Sequence, residues 1–240
     1  MNGLWDEPVW IWPAHPQPIS DELLSSWMVR LAHANGCKVH TFYSMEFGRD
    51  RQIWNRDIDR LAPDWLVEGL AIRTKISKDR VINISLRSYD GVVYEKHNAQ
   101  GNTKWILPLG IYHRTRRRKG MQYCPVCLAT DDIPYFRKHW RLAFYTECDI
   151  HGVLLRDACT KCMAPVIFHR TELGKRHLIK PLSISHCFNC GEHLASGPIH
   201  THVWSSWELQ QAFKSLLTFH FLGWAFVERL QVQYSHLLFD

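Results

Sequence analysis

This 240-residue chain predicts a mostly α-helical fold with small β-hairpins. An N-terminal helical region with a helix-turn-helix-like pair is followed by tandem structural zinc-finger modules of zinc-ribbon type and then by C-terminal helices. Three observations carry that prediction. Apolar residues recur at helical spacing around Leu24 and again around Leu66. Seven of the eight cysteines fall between residues 124 and 190, in pairs or half-pairs of one spacing. The β-prone runs are short and lie between turn-forming residues. The pattern divides the chain into a Trp/Pro-rich arm (1–19), a helical region with a hairpin and a basic loop (20–120), a tandem zinc-binding region (121–200) and a C-terminal helical segment (201–240).

The arm carries Trp5, Trp10 and Trp12 among Pro8, Pro13, Pro16 and Pro18. Proline at that density favours extended backbone and forbids a long helix. Its tryptophans either tuck back onto the core or insert into a partner, where tryptophan is enriched at hot spots. A helix over 20–35 follows, capped by Ser20, with Asp21 and Glu22 at its positive end. Leu23, Leu24, Trp27, Met28 and Leu31 form its apolar stripe, and Gly36 stops it. Arg30 and His33 read as solvated surface. A second helix over 39–47 packs against the first.

From Pro63 a helix runs through Trp65, Leu66 and Leu70, breaks at Lys75 and Ile76, and resumes with Ser77 as cap. Ala71, Val81 and Ile84 face inward, in the register of a helix-turn-helix. Lys78, Asp79, Ile82 and Asn83 would point outward. Of these, Lys78 and Asn83 are the candidate nucleic-acid contacts, and docking to a protein is the alternative.

Residues 92–94 and 105–107 read as two strands of a hairpin. The densest charge run follows, with Arg114, Arg116, Arg117, Arg118 and Lys119 just ahead of the first cysteine pair. Such a run attracts phosphate without reading sequence, and its alternatives are an acidic protein surface or plain solvent. The net charge of +6 fits an anionic partner without requiring one.

Cys124 and Cys127, Cys159 and Cys162, and Cys187 and Cys190 each enclose two residues, and Cys148 stands in the same relation to His151. Eight ligands of this kind suit two tetrahedral zinc ions per chain, since a tight turn aims both ends of each pair at one ion. Sequential pairing closes the shorter loops. It gives one centre of Cys124, Cys127, Cys148 and His151 and another of Cys159, Cys162, Cys187 and Cys190, with a cross-braced arrangement as the alternative. Disulfides would need an oxidising compartment, a redox pair would come once, and a catalytic zinc keeps one position open. Tyr135, Phe136, Trp140, Leu142 and Phe144 are expected to wrap the first centre, with Arg137, Lys138 and Arg141 extending the basic surface.

Beyond the second centre, Ser205 and Glu208 form a capping box ahead of a helix. The very apolar segment after it either closes the core or forms an interface, a homodimer included. No run reaches the roughly 18–20 apolar residues of a membrane span, and Asp6 and Glu7 are unlike a signal peptide. With nearly all cysteine in paired motifs, a reducing, cytoplasmic setting is expected. No Ser-His-Asp order, paired-carboxylate motif or glycine-rich phosphate loop is present, so an enzyme is not expected.

The proline-rich approach to Asp21-Glu22-Leu23-Leu24-Ser25-Ser26-Trp27, the Cys124-Pro125-Val126-Cys127-Leu128 pair, the Trp140 region, and Cys148-Asp149-Ile150-His151-Gly152 with Leu155 and the Cys159 pair resemble the TniQ family. The resemblance implies an adaptor in DNA transposition that marks a target site and recruits the transposon's AAA+ ATPase. Some members of this family read DNA themselves, while short ones associate with a CRISPR RNA-guided effector. The shortness of the segment after Cys190 favours the recruiting adaptor, with Trp5, Trp10 and Trp12 as its docking residues. The competing class is a zinc-containing helix-turn-helix regulator that binds a DNA sequence.

Overall fold

In the computed structural model, residues 10–51, 53–96, 98, 101–109, 118–175, 177–178, 180–201 and 212 are described. Helix α1 (Leu24–Ala34) lies at the centre. It touches α2 (Val39–Phe47), the short α3 (Ile58–Leu61) and a 3-10 turn at Phe168–Arg170. The chain continues with α4 (Asp64–Thr74), α5 (Lys78–Asn83), a 3-10 turn at Leu86–Tyr89, α6 (Pro125–Thr130) and a 3-10 turn at Lys138–Arg141. Among the described residues β-structure is limited to isolated bridges.

Helix α1 starts four residues later than the sequence predicts, and Ser20 does not cap it. The first N–H groups of a helix need acceptors, and here distant segments supply them. Leu23 N donates to Phe136 O and Leu24 N to Ile84 O, both at 2.8 Å, while Ser25 N donates to the Asp59 carboxylate at 2.7 Å. Glu22 is therefore buried rather than a solvated first-turn charge. It accepts from Arg30 and from Ser26 Oγ, and its backbone bridges to Arg137. Arg30 and His33 are not plain surface either, because His33 pairs with Glu172 at 2.7 Å.

The expected pair of helices around Lys75 and Ile76 is present. Lys75 takes the left-handed conformation (φ 56°) that glycine usually supplies, and Ser77 Oγ caps α5 by accepting from Arg80 N. Ala71, Val81 and Ile84 are buried between the elements. Gly69 of α4 is pressed on the Phe47 ring, where a Cβ would come within 2.4 Å of a ring carbon.

The predicted hairpin is replaced by two separate contacts. Tyr94 folds back to bridge Asp90 and donates its hydroxyl to Leu86 O, whereas Ile106 pairs antiparallel with Leu142. Tyr94 and Ile106 are each buried against different partners, so that burial outweighs local pairing. Gly120 packs on the Pro108 carbonyl so closely that a Cβ there would lie 2.2 Å from the oxygen.

Buried side chains from Trp12 to Leu194 form one continuous cluster that includes Tyr123, Phe136, Trp140 and five of the paired cysteines. Phe136 stacks on Phe168 at 4.3 Å and meets Trp140 edge-on, so the aromatic set joins the two halves as well as wrapping the first centre. Inside it, fully buried Arg141 holds Asp57 at 2.5 Å and Asp59 at 3.4 Å. The arm's described residues lie on this core too, with Trp27 Nε1 donating to Pro16 O and Asn35 bracketing Ala14. The predicted C-terminal helices and their capping box lie outside the described residues.

Candidate metal centres

Cys124, Cys127, Cys148 and His151 come together, as do Cys159, Cys162, Cys187 and Cys190, so the pairing is sequential and not cross-braced. Local backbone explains the aim of each pair. Cys124 caps α6, its sulfur accepting from Cys127 N at 3.4 Å, and Pro125 at the first helical position leaves no N–H unpaired there. The other three grips share one turn. In each, the N–H of the first ligand donates across the loop (Cys148 to Val153 O, Cys159 to Ala164 O, Cys187 to Glu192 O). The residue after the second ligand donates back to the first (Gly152, Met163 and Gly191) and has positive φ. Antiparallel bridges Glu147 to Leu154, Ala158 to Pro165 and His186 to His193 close the three turns.

The spacing fits a bound ion. Cys127 and Cys148 sulfurs lie 3.7 Å apart, and His151 Nδ1 is 3.3–3.6 Å from the three sulfurs. Cys159 to Cys190 and Cys162 to Cys187 are both 3.6 Å. A tetrahedral zinc with Zn–S bonds of about 2.3 Å sets its sulfurs about 3.8 Å apart, whereas a disulfide needs about 2.0 Å. All eight ligand residues could thus hold two metal ions, four donors each.

The two centres differ in setting. In the first, the three thiol ligands are buried. Hydrogen bonds from Cys127 and Cys148 hold the Cys124 thiol well below its ordinary value, and the same crowding drives Cys127 up. Arg137 stands beside Cys127 and is itself gripped by both Asp131 oxygens at 2.9 and 3.0 Å. A divalent ion held by three thiolates would carry a net negative charge, and Arg137, shared with Asp131, stands close enough to offset part of it. The second centre is nearer solvent, with Cys190 exposed, and Lys161 lies next to Cys159 and Cys190. Tyr123 ties the two together, donating to Ala158 O and lying within 3.1 Å of Leu194 O.

Arg137, Lys138 and Arg141 do not extend a basic surface. Burial costs a cation its hydration, and each has found its compensation inside. Arg137 takes Asp131, Arg141 takes Asp57 and Asp59, and Lys138 donates to Asn83 O and Ser88 Oγ over the Tyr89 ring. Burial pushes Lys138 down to about 8, against the pull of Asp21. The alternation Arg56-Asp57-Ile58-Asp59-Arg60 and the cations set among aromatic residues at 135–144 were the signals for this network.

Of the expected nucleic-acid contacts, Lys78 is exposed and paired with Glu68, and the Asn83 side chain is exposed. Arg118 and Lys119 are exposed, while Arg114, Arg116 and Arg117 lie outside the described residues. The tryptophans separate. Trp5 lies outside the described residues and Trp10 is 79% exposed. Trp12 is core, with its ring 4.7 Å from Phe42 and Nε1 donating to Glu46 at 2.7 Å, so it takes the tucked-in alternative and offers no docking face.

No helix among the described residues is long and apolar enough to cross a membrane. No individual curated protein matches the sequence. The TniQ family model, by contrast, matches residues 13–155, a span that runs from the arm through α1 to α6 and the first centre to Leu155. That span is more than half of the chain and holds its central helix, its buried ion-pair network and one complete ligand set, and the chain belongs to the TniQ family.

Proposed function

We propose that this chain is a target-selection adaptor for DNA transposition, which links a target-site recognition module to the AAA+ ATPase of its transposon. The family match over residues 13–155 carries this reading. The recognition module is target DNA or a CRISPR RNA-guided effector, and the adaptor itself catalyses nothing. Zinc is the ion that best suits ligand sets of three thiolates with one imidazole and of four thiolates, and its role is structural because four protein ligands leave no open position. The basic run 113–119 makes backbone contacts to nucleic acid. Recruitment of the ATPase falls to the arm, where Trp10 and Ile11 are exposed while Trp12 fixes the arm's root on α2. Trp10 on an anchored strap fits a hot spot, because anchoring lowers the ordering cost of docking.

A sequence-specific regulator is the weaker reading. Helix α5 has only six residues and Lys78 is held by Glu68, which leaves few side chains, Asn83 among them, to read base edges. A pull-down with the ATPase of the same element, with and without ATP and DNA, separates the two. The adaptor captures the ATPase and Trp10→Ala loses it with the fold intact. A chain that ignores the ATPase but selects one duplex sequence is the regulator.

A further inference from the structure

The stretch 56–60 alternates charge, and the two signs part company in the fold. Asp57 and Asp59 face inward to Arg141, which holds both carboxylates. Arg56 lines a cleft with Arg118, walled by Trp54, Met121, Phe168 and His169. Arg118 is shared with an adjoining notch, lined also by Arg60, Thr103 and the Gly101-Asn102 turn. Many cations of the described residues are engaged, as Arg30, Arg73, Arg137 and Lys161 each hold a carboxylate. Arg56 and Arg118 are exposed, and neither has a hydrogen bond, ion pair or ring contact among the described residues. Thr103 supplies an independent sign. It is 8% exposed, yet its hydroxyl has no hydrogen-bond partner, although it lines the notch beside Arg118. Burying a hydroxyl without a partner is costly, and a ligand oxygen in the notch would relieve it.

We propose that Arg56, Arg118 and Thr103 form a seat for the phosphodiester backbone of a nucleic acid. Two guanidinium forks offer parallel N–H donors matched to phosphate oxygens, and a hydroxyl adds a neutral donor. Arg141 offsets part of the charge of Asp57 and Asp59, which line the same clefts and would otherwise repel a phosphate more strongly. The seat reads no bases, since phosphate contacts position a chain without specifying its sequence. It rests on the reading of 113–119 as a nucleic-acid contact and extends that contact into the fold through Arg118.

Labelled 30-mers of duplex DNA, single-stranded DNA and single-stranded RNA, with polyglutamate as an acidic control, would be titrated by anisotropy across a salt series. The full chain would be compared with Arg56→Ala/Arg118→Ala, Thr103→Val and Arg114→Ala/Arg116→Ala/Arg117→Ala. Thermal melting and metal content confirm that the exposed arginine variants stay folded. The double variant should lose about tenfold in affinity at moderate salt, and its log–log salt slope should flatten by about two for duplex or somewhat less for single strands. Thr103→Val should weaken binding without moving the slope. The nucleic acid with the larger loss identifies the natural source of the phosphate. Unchanged affinity and slope in the double variant, with binding lost in the triple one, overturns the seat and leaves the basic-run reading intact. A wild-type chain that binds none of the three nucleic acids overturns both. An equal loss for polyglutamate shows a carboxylate surface and overturns the seat.

Discussion

Asp57 and Asp59 sit two residues apart on one arginine, yet their distances to Arg141 set them different tasks. Asp57 is the close partner at 2.5 Å, and removing it leaves a buried guanidinium short of charge. Asp57→Ala should therefore cost on the order of 3–5 kcal/mol in a denaturant titration. Asp59 is more deeply buried and 3.4 Å away, and burial with the help of Asp57 raises it to about 7 against the pull of Arg141. A raised carboxyl binds its proton in the folded state first, so its contribution to stability is present below about 4 and lost as pH climbs through 7. Between about pH 5 and 7 the wild type should lose stability with rising pH relative to Asp59→Asn and level off above that, with denaturation midpoints at fixed zinc as the readout. At Trp12 the sequence left two fates open. Its indole is now a core group, and Trp12→Ala should cost about 3–5 kcal/mol, whereas Trp10→Ala should leave the melting temperature where it is.

Helices α4 and α5 were legible because apolar spacing, a break and a serine cap all point the same way. The start of α1 was not. Its N–H groups are met by Phe136 O, Ile84 O and Asp59, and no local signal in 20–24 announces a main-chain acceptor more than a hundred residues away. The hairpin failed for a like reason, since Ile106 prefers Leu142 and only tertiary burial decides between them. The eight ligands were fully legible, because metal grips are encoded by short spacing. The network of Arg137 and Arg141 was signalled only by charge alternation and aromatic neighbours, because a cation by itself looks the same in a sequence whether it meets water or a buried carboxylate. At the element scale the sharpest test is Gly69. Alanine normally favours a helix by about 1 kcal/mol over glycine, but here its methyl meets Phe47 at 2.4 Å. Overpacking of about 1–3 kcal/mol outweighs that gain, so Gly69→Ala should lower the melting temperature, and Phe47→Leu should restore part of it.

Across the whole molecule the metal ligands and the helices share one core, so metal and fold should be lost together. Metal analysis should give two zinc ions per chain, and strong chelation should unfold more than the zinc region. A structural site contributes on the order of 10 kcal/mol, as much as the net stability of a typical domain. Cys124→Ser, at the buried centre, should abolish soluble protein, while Cys190→Ser, at the exposed rim, should reduce the metal content to one ion with a large loss of stability. Full folding after chelation, or one ion or none in the wild type, would refute this. The way α1 begins reaches further, into how the protein is made. Synthesis runs from the amino end, and the carbonyl that receives Leu23 belongs to Phe136. While the ribosome is still translating the middle of the message, the central helix has Ile84 and Asp59 to receive Leu24 and Ser25 but still lacks the acceptor for Leu23. The first turn of the central helix is therefore completed only once the chain around the first metal ligands has emerged.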